Sequence, residues 1–290
     1  MDTQQDPAAK VDGASGSRNL GLRILSAIVL APLAIAAAYV GHWPFALFWT
    51  LAALAVLWEW IKLVAGPGHV VMFSTCAAAI AVAAVGEMRH HPVAALLIVG
   101  LGMLATFIFA PQARRLWIAV GVAYAGAMLL APLYLRSDPS YGVQALLLLF
   151  AVVWTTDVFG YFAGRAIGGP KLCPAISPKK TWSGAIVGTI GAMLAAVAMV
   201  HVFAALQFGT FQPVAWAAIG LVLSIVAQGG DLLESWIKRR FGAKDASQLI
   251  PGHGGVMDRL DGFWSAAVVG CVIGIVHQGM LHPADGLLVW

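Results

Sequence analysis

One recurrence constrains this chain more than any other feature. Stretches of about 20 mostly apolar residues, the length an α-helix needs to cross a bilayer, return nine times. They cover roughly residues 23–41, 44–65, 70–86, 93–110, 116–135, 142–166, 182–206, 213–237 and 261–281. The breaks between them hold proline, glycine or charge, as in His42-Trp43-Pro44, Gly66-Pro67-Gly68, His91-Pro92 and Pro111. In hydrocarbon a backbone must satisfy its own hydrogen bonds, so spans of this length are helices. Composition agrees: the 290 residues are 60% hydrophobic and 10% charged, where a soluble domain carries about 25% charge. The expectation is an all-α, polytopic transmembrane bundle of about nine helices, with no internal repeat.

The net charge of +4 does not point to nucleic acid, because the basic residues sit between apolar spans and form no continuous face. The three cysteines, Cys76, Cys173 and Cys271, include no CxxC pair, which argues against a disulfide framework or a zinc site. Residues 1–20 are polar and rich in Ala, Gly, Ser and Asp, the composition of a disordered cytoplasmic segment. The apolar run at 24–40 exceeds a signal-peptide core, so it reads as a retained first helix. Residues 21–135 form the N-terminal transmembrane helices, and residues 136–290 form a C-terminal region that carries the chemistry.

Orientation follows from Lys and Arg, which accumulate on the cytoplasmic side. With the N-terminus inside and nine crossings, the C-terminus lies outside. Fifteen basic residues then fall inside, from Lys10, Arg18 and Arg23 to Lys244 and Arg259, and only Arg89 and Arg136 fall outside. Trp43 and Trp290 are expected at the outer interface, and Trp182, Trp236 and Trp264 at the inner one. Two inner loops, about 167–181 and 239–258, are long enough to hold a site.

Acids inside apolar spans are the first chemical clue. A carboxylate at the centre of a span costs at least about 2.5–3.5 kcal/mol, so it persists where a polar cavity, metal or cation receives it. Asp157 interrupts the sixth span, with Tyr161 one turn later on the same face. Asp231, Glu234, Ser235 and Lys238 form a polar stripe near the inner end of the eighth. The purely structural alternative pairs Glu234 with Lys238 and Asp157 with Arg165. The second loop continues Lys238-Arg239-Arg240, Lys244-Asp245, Pro251-Gly252-His253-Gly254-Gly255 and Asp258-Arg259-Leu260-Asp261. Cations neutralise phosphate oxygens, glycines admit backbone N–H groups to them, and carboxylates hold Mg²⁺. Asp258 and Asp261 can share a face at the start of the ninth helix. The first loop carries Ser177-Pro178-Lys179-Lys180-Thr181-Trp182, two lysines before a helix start with Thr181 as its N-cap, a plausible anion site. The plain alternative for both loops is topogenic charge.

The stretch 235–261 strongly resembles the signature of the phosphatidate cytidylyltransferases, the CDP-diacylglycerol synthases. Gln228-Gly229-Gly230-Asp231-Leu232-Leu233-Glu234-Ser235 is similar too, as are Asp157-Val158-Phe159-Gly160-Tyr161 with Gly164-Arg165, and Ser177 to Trp182. The specific resemblance covers about the C-terminal half; the N-terminal half matches only as apolar helices. Ser183 departs from the pattern, where related sequences often carry an acid. The resemblance implies that CTP and phosphatidic acid give CDP-diacylglycerol and pyrophosphate with Mg²⁺ at the inner membrane, on the cytoplasmic face. It implies Asp231 and Asp258 at the metal, with a monovalent cation such as K⁺ nearby. The catalytic set would be Asp231, Asp258, Lys238, Arg239, His253 and Arg259. Substrate contacts would come from Asp157, Tyr161, Arg165, Ser177, Lys179, Lys180, Ser235, Lys244, Asp245, Gly254, Gly255 and Asp261. A homodimer, membrane lipid as partner and no nucleic acid are further expectations. The competing readings are a CDP-archaeol synthase or polyprenol kinase, and an ion-coupled transporter using Asp157 and Asp231.

Overall fold

The computed structural model describes residues 28–66, 69–205, 212–250 and 254–290. Ten helices run through them: α1 (Ile28–Val40), α2 (His42–Ala65), α3 (His69–Met88), α4 (Pro92–Phe109), α5 (Arg115–Ser137), α6 (Gly142–Ala166), α7 (Trp182–Ala205), α8 (Pro213–Arg240), α9 (Met257–Gln278) and α10 (Pro283–Leu288). Eight of them, α2 to α9, are long and apolar enough to cross a membrane. The chain is an all-α polytopic bundle, as its apolar periodicity predicts. Residues 23–27 of the first expected span lie outside the described residues.

Helix ends follow local chemistry. Prolines open α4, α8 and α10 at their first turns, where the missing N–H costs nothing. Lys238, Arg239 and Arg240 occupy the last turn of α8, so that helix runs three residues beyond the apolar segment; cations there complement the helix dipole. The ninth helix begins at Met257, four residues earlier than hydropathy suggests, because buried hydrogen-bond acceptors hold its first turn. It stops at Gly279, whose φ of 86° suits glycine.

The core is threaded by aromatic rings that tie the two halves of the chain together. Trp60 of α2 packs on Tyr124 of α5, and Tyr124 stacks on Trp264 of α9 with centroids 4.2 Å apart. Trp49 stacks on Phe263, which stacks on Phe150 of α6. Trp264 donates its indole N–H to the Tyr124 carbonyl at 3.0 Å. It therefore packs against the bundle, with a partner for the N–H of its partly buried indole. Trp182 and Trp236 are exposed.

The two ends of the bundle differ. At one end Arg136 donates to the Ala38 carbonyl at the close of α1. Buried Asp138 caps the start of α6 through the N–H groups of Ser140 and Tyr141, both at 2.9 Å. The short α10 folds back here, with Pro283, Ala284, Gly286, Leu287 and Leu288 buried. Its Gly286 approaches the Gly274 carbonyl so closely that a Cβ would sit 2.2 Å from the oxygen. The opposite end carries the polar loops.

Candidate functional site

Two glycine pairs set the first wall of the site. Gly160 and Gly164 on α6 meet Gly184 and Gly188 on α7. A Cβ on Gly184 would fall 2.6 Å from the Gly160 carbonyl oxygen, and one on Gly188 would fall 2.7 Å from that of Thr156. Small residues four apart allow this approach between membrane helices. The crossing turns Asp157, Tyr161 and Arg165 toward the helix ends as one face, and Arg165 donates to the Tyr161 hydroxyl at 3.2 Å. It does not pair with Asp157, so that structural alternative is not realised.

The first loop is not irregular. Lys171–Cys173 (β1) and Ser177–Thr181 (β2) form an antiparallel hairpin over the crossing. Trp182 donates its N–H to the Pro170 carbonyl, and Ser183 its hydroxyl to that of Gly168. Thr181 accepts the Gly184 N–H at 3.2 Å, the geometry of the expected N-cap. The β2 strand brings Lys179 and Lys180 to one cleft between α6 and α8.

The third wall is α8. Its Gln228 donates to Thr189 at 2.9 Å and to Ser224 at 3.3 Å, and Thr156 donates to Ser224 at 2.9 Å. This chain of hydroxyls and an amide forms a polar link between α6, α7 and α8. Above it Asp231 pairs with Lys180 across 2.5 Å. Together the three helices and the hairpin enclose a cleft of about 510 Å³. Asp157, Tyr161, Arg165, Lys179, Lys180 and Asp231 line it. Asp231 lies nine residues before Arg240, the last residue of α8, and lines the cleft.

A second network lies where α8 meets α9. A Cβ on Gly230 would sit 2.1 Å from the Ser265 hydroxyl, so the two helices touch there. Buried Lys238 bridges Glu234 at 2.6 Å and Asp258 at 2.5 Å. Asp258 also accepts the N–H groups of Gly255 at 2.8 Å and Ala246 at 3.1 Å. Asp261 accepts the Gly262 N–H. It lies within electrostatic reach of Asp231 and Asp157, and Arg259 within reach of Asp157. The two networks are therefore neighbours, yet Asp231 and Asp258 hold different partners. Among the described residues no three acid, histidine or cysteine side chains converge as a ready metal cage.

The remaining predicted residues spread around these networks. Ser177 opens β2, and Ser235 sits one turn from Asp231 with its hydroxyl 3.5 Å from that carboxylate. Arg239 donates to the Ala243 carbonyl, while Lys244 and Asp245 are exposed. Gly254, at φ 89°, pairs with Ile250 in a narrow bridge. His253, Pro251 and Gly252 lie outside the described residues, as do Lys10, Arg18 and Arg23. Sequence reasoning quoted Gln228 within a family-like stretch but gave it no role in the cleft, and it missed Thr156 and Glu59. The latter is wholly buried in α2, and its carboxylate reaches the second loop. The rule that singled out Asp157, an acid inside an apolar span, applies equally to Trp58-Glu59-Trp60.

Comparison with known proteins places this architecture. A family profile described as "Cytidylyltransferase family" matches residues 21–276. The chain belongs to this family. A protein of Brucella abortus named phosphatidate cytidylyltransferase is 40% identical over 263 residues, 89% of this chain and 94% of its own. A protein of the same name from Rickettsia typhi is 34% identical over 168 residues, covering 57% of this chain and 73% of its own. One from Haemophilus influenzae is 40% identical over 142 residues, 49% of each chain. The profile spans both halves of the bundle, so family likeness extends well before the motif-rich C-terminal half.

Proposed function

We propose that this member of the cytidylyltransferase family transfers the cytidylyl group of CTP to phosphatidate, releasing pyrophosphate and forming CDP-diacylglycerol. One observation carries the reading. A single cleft at the ends of apolar helices joins three cations, Arg165, Lys179 and Lys180, to two acids, Asp157 and Asp231. Such a cleft suits a reaction between a water-soluble polyanion and a lipid whose chains stay in the bilayer. An oxygen of the lipid phosphate attacks the α-phosphorus of CTP, and the bond from that phosphorus to the β-phosphate oxygen breaks. The nucleophile is already an anion, so no strong general base is needed. The protein's part is positioning and charge neutralisation. Arg165, Lys179 and Lys180 hold phosphate oxygens, the two lysines carried by the hairpin at the mouth of the cleft.

The acids fit a divalent cation in part. Asp157, Asp231 and Asp261 influence one another electrostatically, and the nearby cations acting on them are Lys180 and Arg259. The Lys180 ammonium already occupies a cation position on Asp231. Mg²⁺ is typically held by one or two carboxylates plus substrate phosphates, which suits a cluster without a closed cage. Bound Mg²⁺ would neutralise charge developing on the phosphates. Asp231 would hold it once Lys180 turns to the nucleotide. Asp258 would join only by giving up Lys238 or a backbone N–H. A monovalent cation, a homodimer and an inner-membrane location with the cleft facing the cytoplasm complete the proposal. They are supported by the family resemblance and the basic asymmetry of the loops. The test is to incubate purified protein with labelled CTP and phosphatidic acid, with and without Mg²⁺. Formation of labelled CDP-diacylglycerol supports the reading, and a labelled product with a polyprenol or archaeol acceptor instead would replace it.

A further inference from the structure

The buried carboxylate of Glu59 makes contacts that membrane embedding does not require. One of its oxygens accepts the Ser247 hydroxyl at 2.5 Å and the Val256 N–H at 2.8 Å. The other accepts the Met257 N–H at 2.7 Å. These donors lie 188 to 198 residues further along the chain. Val256 and Met257 open α9, so their N–H groups belong to a helix N-terminus that has no intrahelical acceptors for them. An anion there is favoured by both the free donors and the helix dipole. Ser247 in turn accepts the Leu249 N–H at 3.0 Å, so the contact reaches back into the middle of the second loop.

The fit is close on both sides. A Cβ on Gly255 would lie 2.8 Å from either oxygen of Glu59, which leaves no room for a side chain. The same glycine donates its N–H to Asp258. The turn 255–257 is thus held between two carboxylates, one from its own helix and one from α2. Asp258, Lys238 and Arg259 all depend on where this turn sits.

We infer that Glu59 is a positioning residue for the reaction, clamping Gly255 and the first turn of α9 so that the α8–α9 polar network keeps its place beside the cleft. The clamp assigns α2, a helix with no signature motif, a role in the site. Glu59→Gln keeps the shape but turns an N–H₂ toward a donor, so at least one of the three bonds is lost. Ser247→Ala removes one donor and leaves the carboxylate in place.

Loop seating and activity are measured separately. Cysteine placed at buried Ala246, 8% exposed, reports loop opening in a background with Cys173→Ser. Native Cys76 and Cys271, both buried, report global opening in the same molecule. In Glu59→Gln, maleimide labelling at position 246 should speed up about tenfold or more, while Cys76 and Cys271 stay protected, because a charged hydrogen bond is lost locally. In the same variant kcat/KM for CTP should fall about tenfold or more. Gly255→Ala should act through the same contact, so its effect and that of Glu59→Gln should be strongly non-additive. The kinetic arm rests on the proposed activity, and the labelling arm does not. A folded Glu59→Gln protein with position 246 protected overturns the inference, whether or not activity is lost. Should Glu59→Gln fail to fold, Ser247→Ala decides: faster labelling at 246 with a protected Cys271 supports the clamp, and unchanged labelling overturns it.

Discussion

Replacing Lys180 with Ala separates the two roles this residue has in the cleft. In the structure its ammonium lies 2.5 Å from Asp231, and the two side chains are 28% and 32% exposed. A pair this accessible to water contributes about 0–1 kcal/mol to stability, so Lys180→Ala should melt almost where the unmodified protein does. Activity should respond far more. A charged hydrogen bond to a phosphate oxygen contributes about 1.5–3 kcal/mol, which at about 1.36 kcal/mol per decade is a loss of about 10- to 150-fold in kcat/KM for CTP. The metal dependence should move in the opposite sense. Without its ammonium partner Asp231 is a better site for a cation, so the Mg²⁺ concentration giving half-maximal rate should fall. The assay is CDP-diacylglycerol formation in detergent over a grid of CTP and Mg²⁺ concentrations, with thermal melting in parallel. A kcat/KM within twofold of the unmodified protein, or a raised Mg²⁺ requirement, would refute the reasoning and return Lys180 to a topogenic role.

Four further outcomes follow from the same geometry. Asp231→Asn should abolish most activity with little change in melting, since its ion pair is open to water. Asp258→Asn should lose activity and also stability, at or below the low end of the about 3–5 kcal/mol for breaking a buried pair, because Lys238 keeps Glu234. Equal melting temperatures for the two variants would contradict this division. Gly184→Ala should destabilise by about 1–3 kcal/mol through overpacking, because its Cβ meets the Gly160 backbone at 2.6 Å; an unshifted melt would show that the helices can separate there. Cysteine at Leu281, 77% exposed, should label from the outside only, and labelling from the cytoplasm alone would invert the orientation.

Much of this protein is dictated by properties that act locally along the chain. Apolar runs long enough to span a bilayer must be helices, since lipid offers the backbone no partners. For that reason hydropathy locates α2 to α9 to within a few residues. The acids Asp157 and Asp231 stand out by the cost of placing charge in such a run, and both line the cleft. Motif spacing likewise brings out Lys179, Lys180 and the stripe from Asp231 to Lys238.

Tertiary structure alone decided which of these groups meet. Equal charges at similar depth gave no reason to prefer Lys180 over Arg165 as the partner of Asp231, or to divide Asp231 and Asp258 between two networks. Those choices depend on helix rotation and on the approach of Gly160 to Gly184 and of Gly230 to Ser265, which no run of hydropathy encodes. The hairpin at 171–181 was hidden because a three- and a five-residue strand carry too little periodicity to stand out from a charged loop. Glu59 is the clearest case. Its partners are almost 200 residues away, and a carboxylate that caps a distant helix obeys no spacing rule. Only the packing of α2 against the start of α9 brings acceptor and donors together.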